Sequence, residues 1–256
     1  MRRLLIAALL AISPVMVAYS GTFVDDFSDG NLDGWHIESS PGPPFPHADL
    51  VKIRDGYLVI DTMLEDQTHL VWLKLSIDGA EKWDSYTLTC RVRFREVPQK
   101  PPVPFNIRVR RDSNVDAGQA MCVWMRIQRI MVYTFLPNDI NDLPPNNGKR
   151  EAIQRAGVEF EDLRRPIEKK RWYPVKIVAK KNDFEFYFDD GLVVEYEDKD
   201  AVPGTVAFDA NGGIHVHLDD VAITGPRIPN IGGPHRVSPE ARLATTWGEM
   251  KDLPRR

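Results

Sequence analysis

The feature that most constrains this chain is a strict two-residue alternation. In the run YTLTCRVRFR, Tyr86, Leu88, Cys90, Val92 and Phe94 fall on one side of an extended backbone. Thr87, Thr89, Arg91, Arg93 and Arg95 fall on the other. Successive side chains of a strand point to opposite faces, so this pattern predicts a strand with one buried and one wet face. Residues 105–110 repeat it, with Phe105, Ile107 and Val109 inward and Asn106, Arg108 and Arg110 outward. Similar runs predict strands over residues 56–62, 69–75, 120–127, 130–136, 173–181, 184–188, 192–197, 205–210 and 214–224. Asp189-Asp190-Gly191 predicts a tight hairpin in which Asp-Gly supplies positive φ. Short strands at regular spacing without long intervening helices predict an all-β, antiparallel sandwich over residues 21–225.

Two segments depart from this scheme. Residues 136–171, rich in Pro, Asn and charge, read as a surface insertion whose centre forms short helices over 149–156 and 160–165. Residues 226–256 begin as a Pro/Gly linker. Ser238-Pro239-Glu240 then predicts a helix start, and Leu243, Trp247 and Met250 recur at helical spacing, an apolar stripe suited to docking on the sandwich or on a protein partner.

The first twenty residues read as an export signal: Arg2 and Arg3, an apolar run to Ala18, then small residues at Ala18 and Ser20. They predict a secreted or periplasmic protein, and no segment has the roughly 20 apolar residues of a membrane-spanning helix. The 33 basic side chains face 37 acidic ones, a net charge of −4, which argues against a nucleic-acid partner. Cys90 and Cys122 are the only cysteines, and in an oxidising compartment they form either a disulfide or two buried thiols.

The run DDFSDGNLDGWH, from Asp25 to His36, looks like a calcium loop. It fails the helix-loop-helix spacing, which puts Phe27 at position 3 and His36 at position 12, where oxygen ligands are required.

Several segments taken in order carry a family resemblance. They are Phe23-Val24-Asp25-Asp26-Phe27-Ser28-Asp29-Gly30-x-Leu32-x-Gly34-Trp35, then Asp55-Gly56-Tyr57-Leu58, Trp83-x-x-Tyr86-Thr87-Leu88, Trp172-Tyr173-x-Val175-Lys176-Ile177, Phe188-Asp189-Asp190-Gly191 and Leu218-Asp219-Asp220-Val221. Over residues 23–225 the chain resembles the concanavalin A-like lectin/glucanase jelly roll, with laminin-G-like modules and the 3-keto-disaccharide hydrolase domain as its nearest branches. The resemblance implies that the first and last strands run side by side. It also implies a structural calcium held by Asp25 or Asp26 together with Asp219 or Asp220, and Trp35, Trp83 and Trp172 in framework positions.

The glucanase branch carries its acids as Glu-x-Asp-x-x-Glu, and no such pattern occurs; Glu159-Phe160-Glu161-Asp162 and Glu195-Tyr196-Glu197-Asp198 lack its spacing. The expectation is therefore a carbohydrate-binding, lectin-like module without chemistry of its own. The alternatives are a glycoside-processing enzyme of the keto-disaccharide type and a laminin-G-like interaction module. Sugar recognition uses flat aromatic faces and planar polar groups. Trp72, Trp124, Tyr133 and Tyr187 are candidate platforms; Arg108, Arg110, Arg126, His215 and His217 are candidate polar contacts. If the strands bearing Arg91, Arg93, Arg95, Arg108 and Arg110 are neighbours, they form a basic face for an anionic polysaccharide. His215-x-His217 on one strand face is also a spacing that metal sites use.

Overall fold

A computed structural model describes residues 20–39, 50–63, 70–96, 104–112, 117–125, 129–135, 153–158, 166–211 and 213–232. The predicted export segment, Arg126 and the predicted C-terminal helix lie outside the described residues. The strands, in chain order, are β1 (Gly21–Asp25), β2 (Trp35–Ser39), β3 (Val51–Arg54), β4 (Tyr57–Asp61), β5 (Leu70–Leu75), β6 (Ser85–Glu96), β7 (Phe105–Asp112), β8 (Ala117–Trp124), β9 (Arg129–Phe135), β10 (Ile153–Val158), β11 (Trp172–Lys180), β12 (Asp183–Phe188), β13 (Gly191–Glu197), β14 (Thr205–Asn211), β15 (His215–Gly225) and β16 (Ile231–Gly232).

They form two sheets. The nine-stranded sheet runs β13-β12-β11-β6-β15-β1-β16, with β4 also pairing β15 and β3 pairing β4. The seven-stranded sheet runs β10-β9-β8-β7-β14-β5-β2. Pairing is antiparallel apart from the short parallel contact of β16 with β1.

The alternation is realised as expected. Tyr86, Leu88, Cys90, Val92 and Phe94 of β6 face Phe105, Ile107 and Val109 of β7 and Val206, Phe208 and Ala210 of β14 across one apolar core. Aromatic rings tie the layers together. Phe94 meets Phe105 edge-on with centroids 6.1 Å apart, and Trp35 lies 6.0 Å from Phe23 of the opposite sheet and 5.5 Å from Phe208 of its own. Burying such a side chain contributes about 1.5–3 kcal/mol, which makes this interlayer contact the main source of cohesion. The first strand and the last long strand of the sandwich meet as the resemblance implies: β1 runs beside β15, with Gly21 opposite Gly225 and Asp25 opposite Val221.

Two local expectations are corrected and one open alternative is decided. In the β12–β13 hairpin, positive φ falls on Asp189 (50°) and Asp190 (63°), while Gly191 opens β13; two left-handed central residues are what a two-residue hairpin with the strands' own twist requires. Residues 153–158, expected to be partly helical, form β10, because the edge of β9 offers an unpaired ladder that the segment completes. Cys90 and Cys122 are free buried thiols rather than a disulfide. They belong to different sheets. Cys90 points into the core, whereas Cys122 alternates with the core residues Met121 and Val123 and so faces the far side of its own sheet. Sheets packed about 10 Å apart leave no bridging geometry for such a pair.

Candidate functional site

The outer face of the seven-stranded sheet carries a buried polar floor. On β7 the inward Phe105, Ile107 and Val109 force Asn106 and Arg108 outward; on β14 the inward Phe208 and Ala210 do the same for Asp209. Register places Asn106 opposite Asp209, and Arg108 between Ala207 on one neighbouring strand and Ala120 on the other. Arg108 Nε donates to Asp209 Oδ1 at 2.6 Å, and Asn106 Nδ2 donates to Asp209 Oδ2 at 2.5 Å. The Arg108 and Asp209 side chains are 8% and 1% exposed, a buried ion pair held against small neighbours.

Half-buried side chains border this floor: Lys74 of β5, Trp124 of β8, and Arg129 and Tyr133 of β9. Tyr133 sits opposite Ala120, and Trp72 occupies the register position opposite Asp209. The Cys122 thiol lies on the same face. Burial and the Asp209 charge push it far above its ordinary range, so it acts as a small apolar surface and not as a nucleophile. Two polar atoms at this face, Asn106 Oδ1 and Trp124 Nε1, are buried and have no hydrogen-bond partner among the described residues.

The outer face of the nine-stranded sheet holds a different cluster. The Arg93 guanidinium lies between the rings of Trp172 (4.4 Å) and Tyr57 (4.9 Å) and contacts His217 Nδ1 at 2.8 Å. His217 stacks on Tyr57 at 4.7 Å; its Nε2 lies 2.9 Å from His215 Nε2, and His215 Nδ1 lies 3.5 Å from Asp61. A guanidinium has no acceptor, so His217 Nδ1 accepts from Arg93 and its Nε2 carries the proton given to His215. His215 then donates from Nδ1 toward Asp61.

This order disfavours a transition metal between the imidazoles. Binding one through His217 Nε2 would move the ring proton to Nδ1, where it would face the Arg93 N–H groups. No group of three or more His, Cys, Asp or Glu that could hold a metal occurs among the described residues.

Burial, with help from Arg93, pushes His217 down to about 3, and burial also lowers His215. Between pH 6.5 and 3 the unfolded chain therefore takes up a proton at this position that the folded chain refuses. Stability drawn from it is complete above pH 6.5 and falls as pH drops, by up to about 1.4 kcal/mol per pH unit. His217→Phe keeps the stack on Tyr57 and removes the titration. Its urea midpoint, set against that of the wild type, should rise between pH 7.5 and pH 4.5; an unchanged difference would show that His217 does not titrate as its surroundings dictate.

The implied calcium ligands are each engaged with partners of their own. Asp25 accepts from Phe27 N at 2.7 Å and from Trp35 Nε1 at 2.7 Å, and burial pushes its carboxyl up to about 6. Asp26 caps Ser28 through its backbone N–H and hydroxyl. Asp219 and Asp220 both bind Arg91, each at 2.7 Å. The four carboxylates satisfy a turn and an arginine, and this donor set does not fit a shared cation that needs six or more oxygens.

No family model and no curated protein sequence matches the chain. Solved structures do. The potassium-bound carbohydrate recognition domain of Emp46p superposes with a TM-score of 0.54 at 10% identity, covering 80% of this chain and 96% of that one. A native glycosidic hydrolase gives 0.54 at 9%, covering 82% and 97%. A structure from work on endo-acting O-glycanases of human gut microbiota gives 0.53 at 12%, covering 79% and 97%.

The fold is an antiparallel jelly-roll β-sandwich. Within this jelly roll, the predicted sugar-contact residues part company. Arg108, Trp124, Tyr133 and the register position of Trp72 share the outer face of the seven-stranded sheet. His215 and His217 lie on the other outer face of the jelly roll, as does Tyr187, whose hydroxyl donates to Glu185 at 2.6 Å. The expected basic face does not form, because Arg91 and Arg93 belong to one sheet and Arg108 and Arg110 to the other. Arg110 leaves the face altogether: at a bulge its guanidinium turns to backbone carbonyls at the end of the jelly roll. Asn106 and Asp209 complete the floor and were not expected as site residues. Asp209 had a readable signal, since an acid amid Val206, Phe208 and Ala210 is depleted in strands and calls for a partner.

Proposed function

We propose that this protein is a secreted, non-catalytic module that binds carbohydrate on the outer face of the seven-stranded sheet. One observation carries the reading: a floor of buried, directional hydrogen-bonding groups (Asn106, Arg108, Asp209) bordered by half-buried aromatic side chains (Trp124, Tyr133). Sugar rings are recognised by that combination, with apolar C–H faces on aromatic rings and hydroxyls on fixed polar groups. Structures of the same fold include a carbohydrate recognition domain and a glycosidic hydrolase, which supports the choice of ligand class. Against hydrolysis, the described floor offers one carboxylate, Asp209, committed to Arg108 and Asn106, where hydrolysis needs two facing acids. The reading needs no calcium, since the floor supplies its own donors and acceptors.

A glycan array followed by calorimetry tests it. Binding with a Kd between about 1 μM and 1 mM and no turnover is expected. Trp124→Ala should weaken it at least tenfold, and Trp172→Ala on the opposite face should leave it unchanged. Release of reducing ends would instead support the glycoside-processing alternative. Silence across the array, with capture of a protein ligand, would support the laminin-G-like one.

A further inference from the structure

Two buried atoms at the site have hydrogen-bonding capacity of opposite kinds that no described residue meets. Trp124 Nε1 is a donor and nothing else; Asn106 Oδ1 is an acceptor and nothing else. The Asn106 amide is oriented by its neighbour: its nitrogen faces the Asp209 carboxylate at 2.5 Å, so the oxygen is turned away from the ion pair. Asn106 pairs with Cys122 across the β7–β8 ladder. Trp124, two residues along β8 on the same face, is thus its diagonal neighbour, within the reach of an aromatic side chain. Leaving such atoms unpaired is unfavourable, a cost a ligand removes if it supplies the missing partners.

Resting on the carbohydrate reading above, we infer that Trp124 Nε1 and Asn106 Oδ1 together read one uncharged hydroxyl of the ligand, and that the site selects neutral over anionic sugars. A hydroxyl is the group that accepts and donates at a single atom, taking the indole N–H and giving its proton to the amide oxygen. A carboxylate or sulfate oxygen satisfies the indole but sets acceptor against acceptor at Asn106 Oδ1, with the Asp209 charge behind it. The guanidinium that would attract an anion is already neutralised, since Arg108 is bound to Asp209 at 2.6 Å. An ammonium is disfavoured in turn by the indole N–H and by Arg108. Trp124 is only half-buried, so rotation of its ring exposes the N–H to an arriving ligand. Sites that hydrogen-bond a hydroxyl in this way reject analogues that lack it much more strongly than apolar pockets do.

The test is calorimetry of the purified full chain against neutral oligosaccharides (gluco-, galacto-, manno- and xylo-) and anionic ones (oligogalacturonate, alginate, heparin fragments). Neutral binding at least tenfold tighter than anionic is expected. Trp124→Phe, which keeps the ring and deletes the N–H, should weaken neutral binding about tenfold, while the preference for neutral ligands, which resides in Asn106 Oδ1, persists. Indole N–H resonances provide a check that needs no variant: one, assigned to Trp124, should move downfield on titration with the neutral ligand. Anionic ligands binding as tightly as neutral ones, an unaltered Trp124→Phe, or a stationary Trp124 resonance would overturn the inference. In that case loss of all binding in Trp124→Ala would leave the site assignment standing, whereas no binding of either class removes both.

Discussion

Arg110→Met is expected to lower the thermal midpoint by roughly 10 °C while leaving the fold intact. Arg110 sits at a bulge in β7 with φ of 55°, a left-handed conformation that costs an L-residue about 1–2 kcal/mol. The surroundings hold it there. Its backbone N–H donates to Tyr86 Oη at 2.6 Å, while Nε donates to Val202 O at 2.6 Å and Nη2 to Ala201 O at 3.1 Å. Nη1 reaches both Lys181 O and Asp84 O. A side chain from the seven-stranded sheet thereby clips the β11–β12 turn and the start of β6 in the opposite sheet to the loop before β14.

Gly204 allows this close approach, because a Cβ there would meet Arg110 C and Arg111 C at 2.5 Å. Removing the guanidinium leaves up to three carbonyls, those of Lys181, Ala201 and Val202, without this donor at the end of the core, while Asp84 O keeps the Lys181 N–H; the loss is about 3–5 kcal/mol. For a domain of this size each kcal/mol moves the midpoint by roughly 2–4 °C. Arg110→Lys should recover less than half, since an ammonium lacks the planar fork that spans separated acceptors. Calorimetric midpoints within 3 °C of wild type for Arg110→Met would show that the clip is dispensable.

The second large effect is expected at the buried ion pair. Asp209→Leu leaves the Arg108 charge and the Asn106 amide nitrogen without their carboxylate, a destabilisation of about 3–5 kcal/mol by urea unfolding. The burial of a charge that has lost its carboxylate, more than the lost attraction, sets that magnitude. Arg108→Met/Asp209→Leu should therefore recover most of the loss, with a coupling of at least about 2 kcal/mol between the two positions. Additive effects would mean that each side chain is solvated independently, contrary to exposures of 8% and 1%.

Much of the fold was legible because alternation is a local property. Tyr86 to Arg95 and Phe105 to Arg110 declared which side chains face inward, and β11 to β15 fell within a residue or two of expectation. Sheet membership was not legible, since it depends on long-range pairing that periodicity does not encode. That is why alternation alone leaves Cys90 and Cys122 free to meet, and Arg91, Arg93, Arg108 and Arg110 free to share a face, where sheet membership separates them. The site was legible in part for the same reason. Parity put Arg108 and Trp124 outward, but only the register of β7 on β14 reveals that Asp209 neutralises Arg108. The dense acids of Asp25 to Asp29 resembled a cation site because carboxylates that cap turn N–H groups and carboxylates that bind calcium have the same composition.

The claim on which the functional account depends is the location of bound sugar. A crystal structure of the protein with the best array oligosaccharide tests it most directly. The account predicts sugar density against Trp124 and Tyr133, with a hydroxyl within 3.2 Å of Asn106 Oδ1, the outer limit of a hydrogen bond at about that distance. Sugar seated instead on the opposite face, against Trp172, His215 and His217, would contradict it.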